Sequence, residues 1–191
     1  MLCREQILQI GFRSVGTDVQ ISEFARFHGA DRISIGNRVR IDDFCVLSAG
    51  GGEIVIGDYV HIAVHCCLFG GGGITIDDFV CLSSRVSVYS VNDDYSGQTL
   101  TSPTVPVEYR KVQKAAVRIG RHAIIGSGSV VLPGVDIDDG AAIGALSLVK
   151  SDCQSFSVYV GSPARRIGDR QRALLDQERL LLQSCQYGDS H

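Results

Sequence analysis

Aliphatic residues return at every sixth position through VRIGRHAIIGSGSVVLPGVDIDDGAAIGALSLV, at Ile119, Ile125, Val131, Ile137, Ile143 and Val149. That period belongs neither to a helix nor to a simple alternating strand. A short strand plus a tight corner, repeated, accounts for it. The aliphatic side chain points inward, and small residues such as Gly120, Gly126 and Gly144 allow the corner backbone. Three such sides, each about 20 Å long at roughly 3.3 Å per residue, close one coil of a triangular solenoid. Hexapeptide repetition is the signature of a parallel β-helix.

The same period begins at Val15 and gives the triplets Val15, Ile21, Phe27; Ile35, Ile41, Leu47; Ile56, Ile62, Leu68; and Ile76, Leu82, Val88. Between triplets the step lengthens, because RISIG, EIVIG and GITID insert residues at one corner. The runs Gly50-Gly51-Gly52 and Gly70-Gly71-Gly72-Gly73 mark that corner, and neither is followed by the GK[ST] of a phosphate-binding loop. Stacking the coils aligns equivalent positions. Cys45 and Cys66 share an inward column, Phe44, His65 and Arg85 an outward corner, and Arg40, His61 and Cys81 a third column.

The pattern stops after Val88. Residues 89–116 carry Pro103, Pro106 and several turn formers, and a loop of that length in a compact domain is either functional or disordered. Its Asp93-Asp94-Tyr95 cluster favours function. The chain thus divides into a lead-in (1–14), a β-helix (15–166, with the excursion at 89–116), and a C-terminal helix and tail (167–191). In the lead-in, a short amphipathic helix would bring Leu2, Ile7 and Leu8 under cover. VYVGSPARR would seal the solenoid edge, and Leu174, Leu175, Leu181 and Leu182 have helical spacing. Packing that helix on the solenoid would protect an edge otherwise prone to aggregation. The fold class is all-β.

A net charge of −3 and a pI near 5.9 argue against nucleic-acid binding, which needs a basic face. No apolar run approaches the roughly 18 residues of a membrane span, and charges interrupt MLCREQILQIGF, so no export signal is expected. Seven cysteines without paired CxxC spacing fit reduced thiols in the cytoplasm better than a disulfide framework or a zinc site.

Together, IGDYVHIA, IGRHAIIGSGSVVLPGV, GAAIGALSLV and VGSPARRI resemble the hexapeptide-repeat acyltransferases. They look most like the branch holding the galactoside and maltose O-acetyltransferases and the sugar acetyltransferases of surface-polysaccharide pathways. The resemblance implies a left-handed β-helix, a homotrimer, acetyl-CoA as donor, no metal, and a sugar or nucleotide-sugar acceptor. It also implies active sites in clefts between subunits, with the long loop contributing. By motif match, the donor would lie along Gly126, Ser127, Gly128, Ala145, Ser147 and Lys150, with Arg165 and Arg166 facing its phosphates.

Acyl transfer from a thioester requires the attacking hydroxyl or amine to lose a proton. Sugar acetyltransferases of this kind carry a histidine base just after the strand that precedes the loop. Here that stretch reads VSVYSVNDDYSG, with Asp93 nearest the histidine position and Asn92 beside it. Three readings follow. Asp93 or Asp94 replaces the histidine; or His65 or His61, at the solenoid edge, supplies the base while Asp93 orients it or the sugar; or the acceptor is the amine of an amino sugar, needing only orientation and an eventual proton acceptor. Asn92, Asp94, Tyr95 and Arg85 are the acceptor-binding candidates, while His28, His122 and His191 are assigned to packing or surface. Alternatives are transfer to another small acceptor such as an antibiotic or an amino acid, a non-catalytic trimeric scaffold, and a zinc hydratase requiring three converging histidines.

Overall fold

The computed structural model describes residues 1–188, with side chains to Ser184; His191 lies outside it. The hexads form a solenoid of about seven turns. Its three sides are parallel stacks, in accord with the left-handed β-helix the resemblance implies. The first side runs from Ser14–Val15 through Ile33–Ile35, Ile54–Ile56, Ile74–Ile76 and Val117–Ile119 to Asp136–Ile137. The second runs from Gln20–Ile21 through Arg40–Ile41, His61–Ile62, Cys81–Leu82 and Ile124–Ile125 to Ala142–Ile143 and Ser157–Val160. The third holds Arg26–His28, Val46–Ser48, Cys67–Phe69, Ser87–Tyr89, Val130–Val131 and Leu148–Val149.

The aliphatic key of each hexad fills the interior: Ile21, Ile41, Leu47, Ile62, Leu68, Leu82, Val88, Ile119, Ile125, Val131 and Val149 are fully covered. Each such side chain contributes roughly 1.5–3 kcal/mol relative to exposure. Cys45 and Cys66 also lie wholly inside, while Cys67, one residue on, faces outward. The widened third-to-first corner depends on its glycines. A Cβ on Gly52 would lie 2.3 Å from the Gly70 carbonyl oxygen, and one on Gly72 at the same distance from that of Ser90.

Helix α1 (Arg4–Gln9) closes the N-terminal end by inserting Ile7, which is 1% exposed. Leu2 is partly covered, but Leu8 faces solvent, contrary to the expectation that all three pack. At the other end, Arg165–Asp169 returns antiparallel to Ser157–Val160 and seals the second side. Helix α2 (Leu174–Gly188) therefore does not cap the end. It lies along the first-to-second corner, where Leu174, Glu178 and Leu181 approach Phe79 and His122.

Candidate functional site

The second-to-third corner carries one residue per coil in the left-handed region: Phe44, His65, Arg85, Gly128 and Leu146, with φ from 57° to 73°. Backbone hydrogen bonds climb it coil by coil, from His65 N to Asp43 O, Arg85 N to Val64 O, Gly128 N to Ser84 O and Leu146 N to Ser127 O, all 2.9–3.0 Å. The histidine and arginine candidates thus share one vertical line with the donor candidates Gly126, Ser127, Gly128 and Ala145. Phe24, Phe44 and His65 stack there ring on ring, at 5.5 and 5.0 Å between centroids. His65 is exposed, and its ring nitrogens have no hydrogen-bond partner among the described residues.

His61 is differently placed. It lies on the outer face of the second side, in register with Arg40 below and Cys81 above. Its Nε2 sits 2.8 Å from Asp42 Oδ2, and Arg40 Nε donates to Asp42 Oδ1 at 2.7 Å. Burial opposes ionisation of Asp42, but the hydrogen bonds from Arg40 and His61 outweigh it and hold the carboxyl below its ordinary range. The sequence reading missed Asp42. The available signal was a polar residue directly after the inward key Ile41.

The excursion forms its own neck, Val91–Asn92 pairing antiparallel with Gln113–Lys114, and Ala115 N rejoins the solenoid at Ser90 O. Under this neck, on the third side, a cleft of about 480 Å³ is lined by Phe69, Tyr89, Asn92, Asp93, Tyr95 and Leu132, among others. Phe69 and Tyr89 stack at 5.2 Å. Among the described residues no histidine lines it. The two loop carboxylates separate clearly. Asp94 accepts hydrogen bonds from the backbone N–H and hydroxyl of both Ser96 and Thr99, at 2.6–2.9 Å, and the Ser96 and Thr99 bonds push its pKa far down. It organises the loop tip. Asp93 accepts no hydrogen bond among the described residues and opens into the cleft with Tyr95, which is 88% exposed.

Within one chain Asp93 does not meet His65 or His61. His65 begins the third side and Phe69, at the cleft, ends it, a separation of about 13 Å at roughly 3.3 Å per residue. Among the donor candidates, Ser147 is buried and its hydroxyl donates to Gly144 O at 2.7 Å while accepting from Gly161 N at 3.1 Å, so only its backbone can face a donor. Lys150 is exposed at the next corner. Arg165 is exposed, and Arg166 is held by Ser157 Oγ at 3.1 Å and by Asp169. Among the described residues no group of three His, Cys, Asp or Glu side chains could hold a metal ion, and no helix is long and apolar enough to cross a membrane.

No family model matches the chain. It is 54% identical over 173 residues to a dTDP-4-amino-4,6-dideoxy-D-glucose acyltransferase of Escherichia coli, covering 91% of this chain and 90% of that protein. The chain belongs to the hexapeptide-repeat acyltransferases. A second member, the N-acyltransferase AntD from Bacillus cereus, was solved with dTDP and 3-hydroxybutyryl-CoA. It superimposes with a TM-score of 0.93 at 44% identity, covering 97% of each chain. The S84A mutant of AntD, holding dTDP-4-amino-4,6-dideoxyglucose and coenzyme A, aligns with a TM-score of 0.92 over 96% of this chain and 97% of its own. A maltose O-acetyltransferase from Clostridium difficile shares the fold, with a TM-score of 0.60 at 24% identity over 88% of this chain and 75% of its own. Membership makes this solenoid an acyltransferase rather than an inert scaffold.

Proposed function

We propose that this enzyme moves an acetyl group from acetyl-CoA to the amine of a nucleotide-linked amino sugar. The observation that carries the reading is the loop cleft, where an unpaired carboxylate, Asp93, and the amide of Asn92 stand with no histidine among the described residues. An uncharged amine is already a nucleophile. It needs a partner to aim its lone pair at the thioester carbon and to take up the proton that the new amide sheds. Asp93 fits both tasks, accepting a hydrogen bond from the amine before attack and pairing with the cation afterwards. Asp93 takes the proton from that cation, carbon–sulfur cleavage expels the coenzyme A thiolate, and the same proton neutralises the sulfur. The E. coli relative and AntD, whose names specify amino-sugar and N-acyl chemistry, support the choice of amine over hydroxyl.

The working unit in this reading is a homotrimer with three equivalent sites. One protomer offers His65, Arg85 and the Gly126–Gly128 corner, and the next offers its loop cleft. Exposed apolar residues on both surfaces support the pairing: Phe24, Phe44 and Leu146 on the corner, Tyr95, Leu100, Val107 and Tyr109 on the loop. Backbone N–H groups of the corner would receive the developing oxyanion, and Arg165 and Lys150 the donor phosphates. His65, rather than the Asp42-bound His61, is the histidine free to reach the acceptor. The setting would be cytoplasmic synthesis of activated sugars for surface polysaccharide.

The test is coenzyme A release with a dTDP-linked 4-amino sugar and with its 4-hydroxy counterpart. Release with the amine alone is expected, with Asp93→Asn lowering kcat/KM by about 100-fold. Preference for the hydroxy sugar, or full activity in Asp93→Asn, would overturn the reading. His61→Ala and His65→Ala enzymes that both keep normal turnover would remove any histidine base.

A further inference from the structure

Outside the loop cleft, the second side carries a nucleophile, an imidazole and a carboxylate in line. Cys81 and His61 are register partners on adjacent coils, and Cys81 Sγ lies 4.0 Å from His61 Nδ1. The far nitrogen of the same ring, Nε2, is 2.8 Å from Asp42 Oδ2. A carboxylate only accepts hydrogen bonds, so the Nε2 of a neutral His61 must carry the proton. Its Nδ1 is then a lone-pair acceptor aimed at the Cys81 thiol. This is the order of a base-activated nucleophile, with the third group fixing the tautomer of the second. Arg40 on the other oxygen of Asp42 keeps that carboxylate in place.

The surroundings favour a thioester as the reaction partner. Above Cys81 the outward residues in register are Ile124, Ala142 and Val158, a strip of small and apolar side chains running to the C-terminal coils. That strip flanks the corner bearing Gly126, Gly128 and Ala145, and suits the narrow arm of an acyl-thioester. Access is open, because the His61 side chain is 41% exposed and Cys81 is only half-buried. Other described cysteines lack one element or another. Cys45, Cys66 and Cys153 are buried, whereas Cys67 and Cys3 have no histidine contact. Burial pushes the Cys81 thiol up, so it stays protonated near neutrality and depends on His61 to react.

The geometry points to Cys81 as a self-acylation site that takes the acyl group from the donor thioester. The Cys81 S–H gives its proton to His61 Nδ1 as the sulfur attacks the thioester carbonyl carbon. The tetrahedral adduct collapses, the carbon–sulfur bond to coenzyme A breaks, and the departing thiolate recovers the proton from His61. One thioester is exchanged for another with no redox change, leaving S-acyl-Cys81 and free coenzyme A. The donor identity rests on the function proposed above; the Cys–His–Asp geometry does not.

The experiment incubates the full-length enzyme with acetyl-CoA and no acceptor, quenches in acid and maps adducts by peptide mass spectrometry, with neutral hydroxylamine as the thioester diagnostic. One hydroxylamine-labile acetyl group on Cys81 is expected. Cys81→Ser should abolish it while keeping amine-dependent turnover within about twofold, and His61→Gln should slow its formation by about 10- to 100-fold. Asp42→Asn, acting through His61, should shift the pH profile of adduct formation and slow it less. An unmodified Cys81 in enzyme that still turns over the amino sugar would overturn this proposal and leave the function standing. Labelling of Cys3 or Cys67 instead, or equal rates in His61→Gln, would also overturn it. Adduct on Cys81 without turnover would sink the function and keep the site.

Discussion

Two corners of this solenoid are built alike and finished differently. At the first-to-second corner Tyr59, Phe79 and His122 stack at 4.6 and 5.0 Å, with Arg38 over Tyr59 and Arg121 over Phe79. At the second-to-third corner Phe24, Phe44 and His65 do the same. Both sets occupy the position three before an inward key, and from Arg38 and Phe44 onward all have φ near 60°. The shared cause is spacing. Coils repeat about every 4.8 Å, close to the separation at which rings stack, and ring contact offsets the cost of a left-handed backbone at non-glycine residues. What differs is the cover. His122 is 10% exposed beneath α2, bonded to Glu178 Oε2 at 2.7 Å, whereas Phe44 is 52% exposed. A ladder sealed by its own chain is structural; one left bare beside His65 and Arg85 is the surface that a neighbouring protomer would cover in the trimeric reading proposed above.

The strongest way to break this contrast is a charge on the bare ladder. Phe44→Asp should fold as a solenoid, because Phe44 is exposed in the single chain, yet fail to assemble. Turnover should fall by on the order of 100-fold if the site spans two protomers. Sedimentation gives the assembly state and coenzyme A release the activity. A fully assembled, active Phe44→Asp enzyme would show that the bare corner is only surface.

The covered ladder should respond in the opposite sense. Glu178 bonds both Arg121 and His122 with its side chain 12% exposed. Glu178→Ala leaves the nearly buried His122 without its acceptor, while Arg121, about a third exposed, keeps Asp78 at 2.8 Å, so the loss is roughly 1–2 kcal/mol. Faster amide exchange throughout α2 and a lower Tm are expected, with assembly retained. If Glu178→Ala disrupts assembly as well, the two corners are not independent.

Why one ladder's partner was foreseeable and the other's contacts were not comes down to dimensionality. The hexad lattice is nearly one-dimensional, so counting along it placed His65 with Arg85 and His61 with Cys81, and the structure has both pairs in register. The same counting would have found the cleft floor, since Phe69, Tyr89 and Leu132 each follow an inward key, but the aromatic positions were not pursued. Contacts that leave the lattice were not legible. Asp42 reaches His61 diagonally, α2 lies along a corner rather than over the open end, and Asp94 is consumed by the Ser96–Thr99 turn while its neighbour Asp93 is left free. Each depends on a side-chain direction or a loop path that periodicity does not carry.

Between the two corners, on the second side, the Asp42 cluster supplies the smallest and most discriminating effect. Asp42 ionises more readily in the folded chain than unfolded, so its stabilisation is complete above the ordinary carboxylate value near 4 and is lost as pH falls through its lower folded value. Replacement by Asn should therefore lower Tm by about 2 °C near pH 7, the size expected of a partly exposed ion pair. The gap between the two proteins should narrow as the solution is acidified below that range. A gap that persists unchanged at low pH would mean that Asp42 acts by packing rather than by charge. The orientation of His61, and with it the difference between this side and the free imidazole of His65 at the bare corner, would then need another cause.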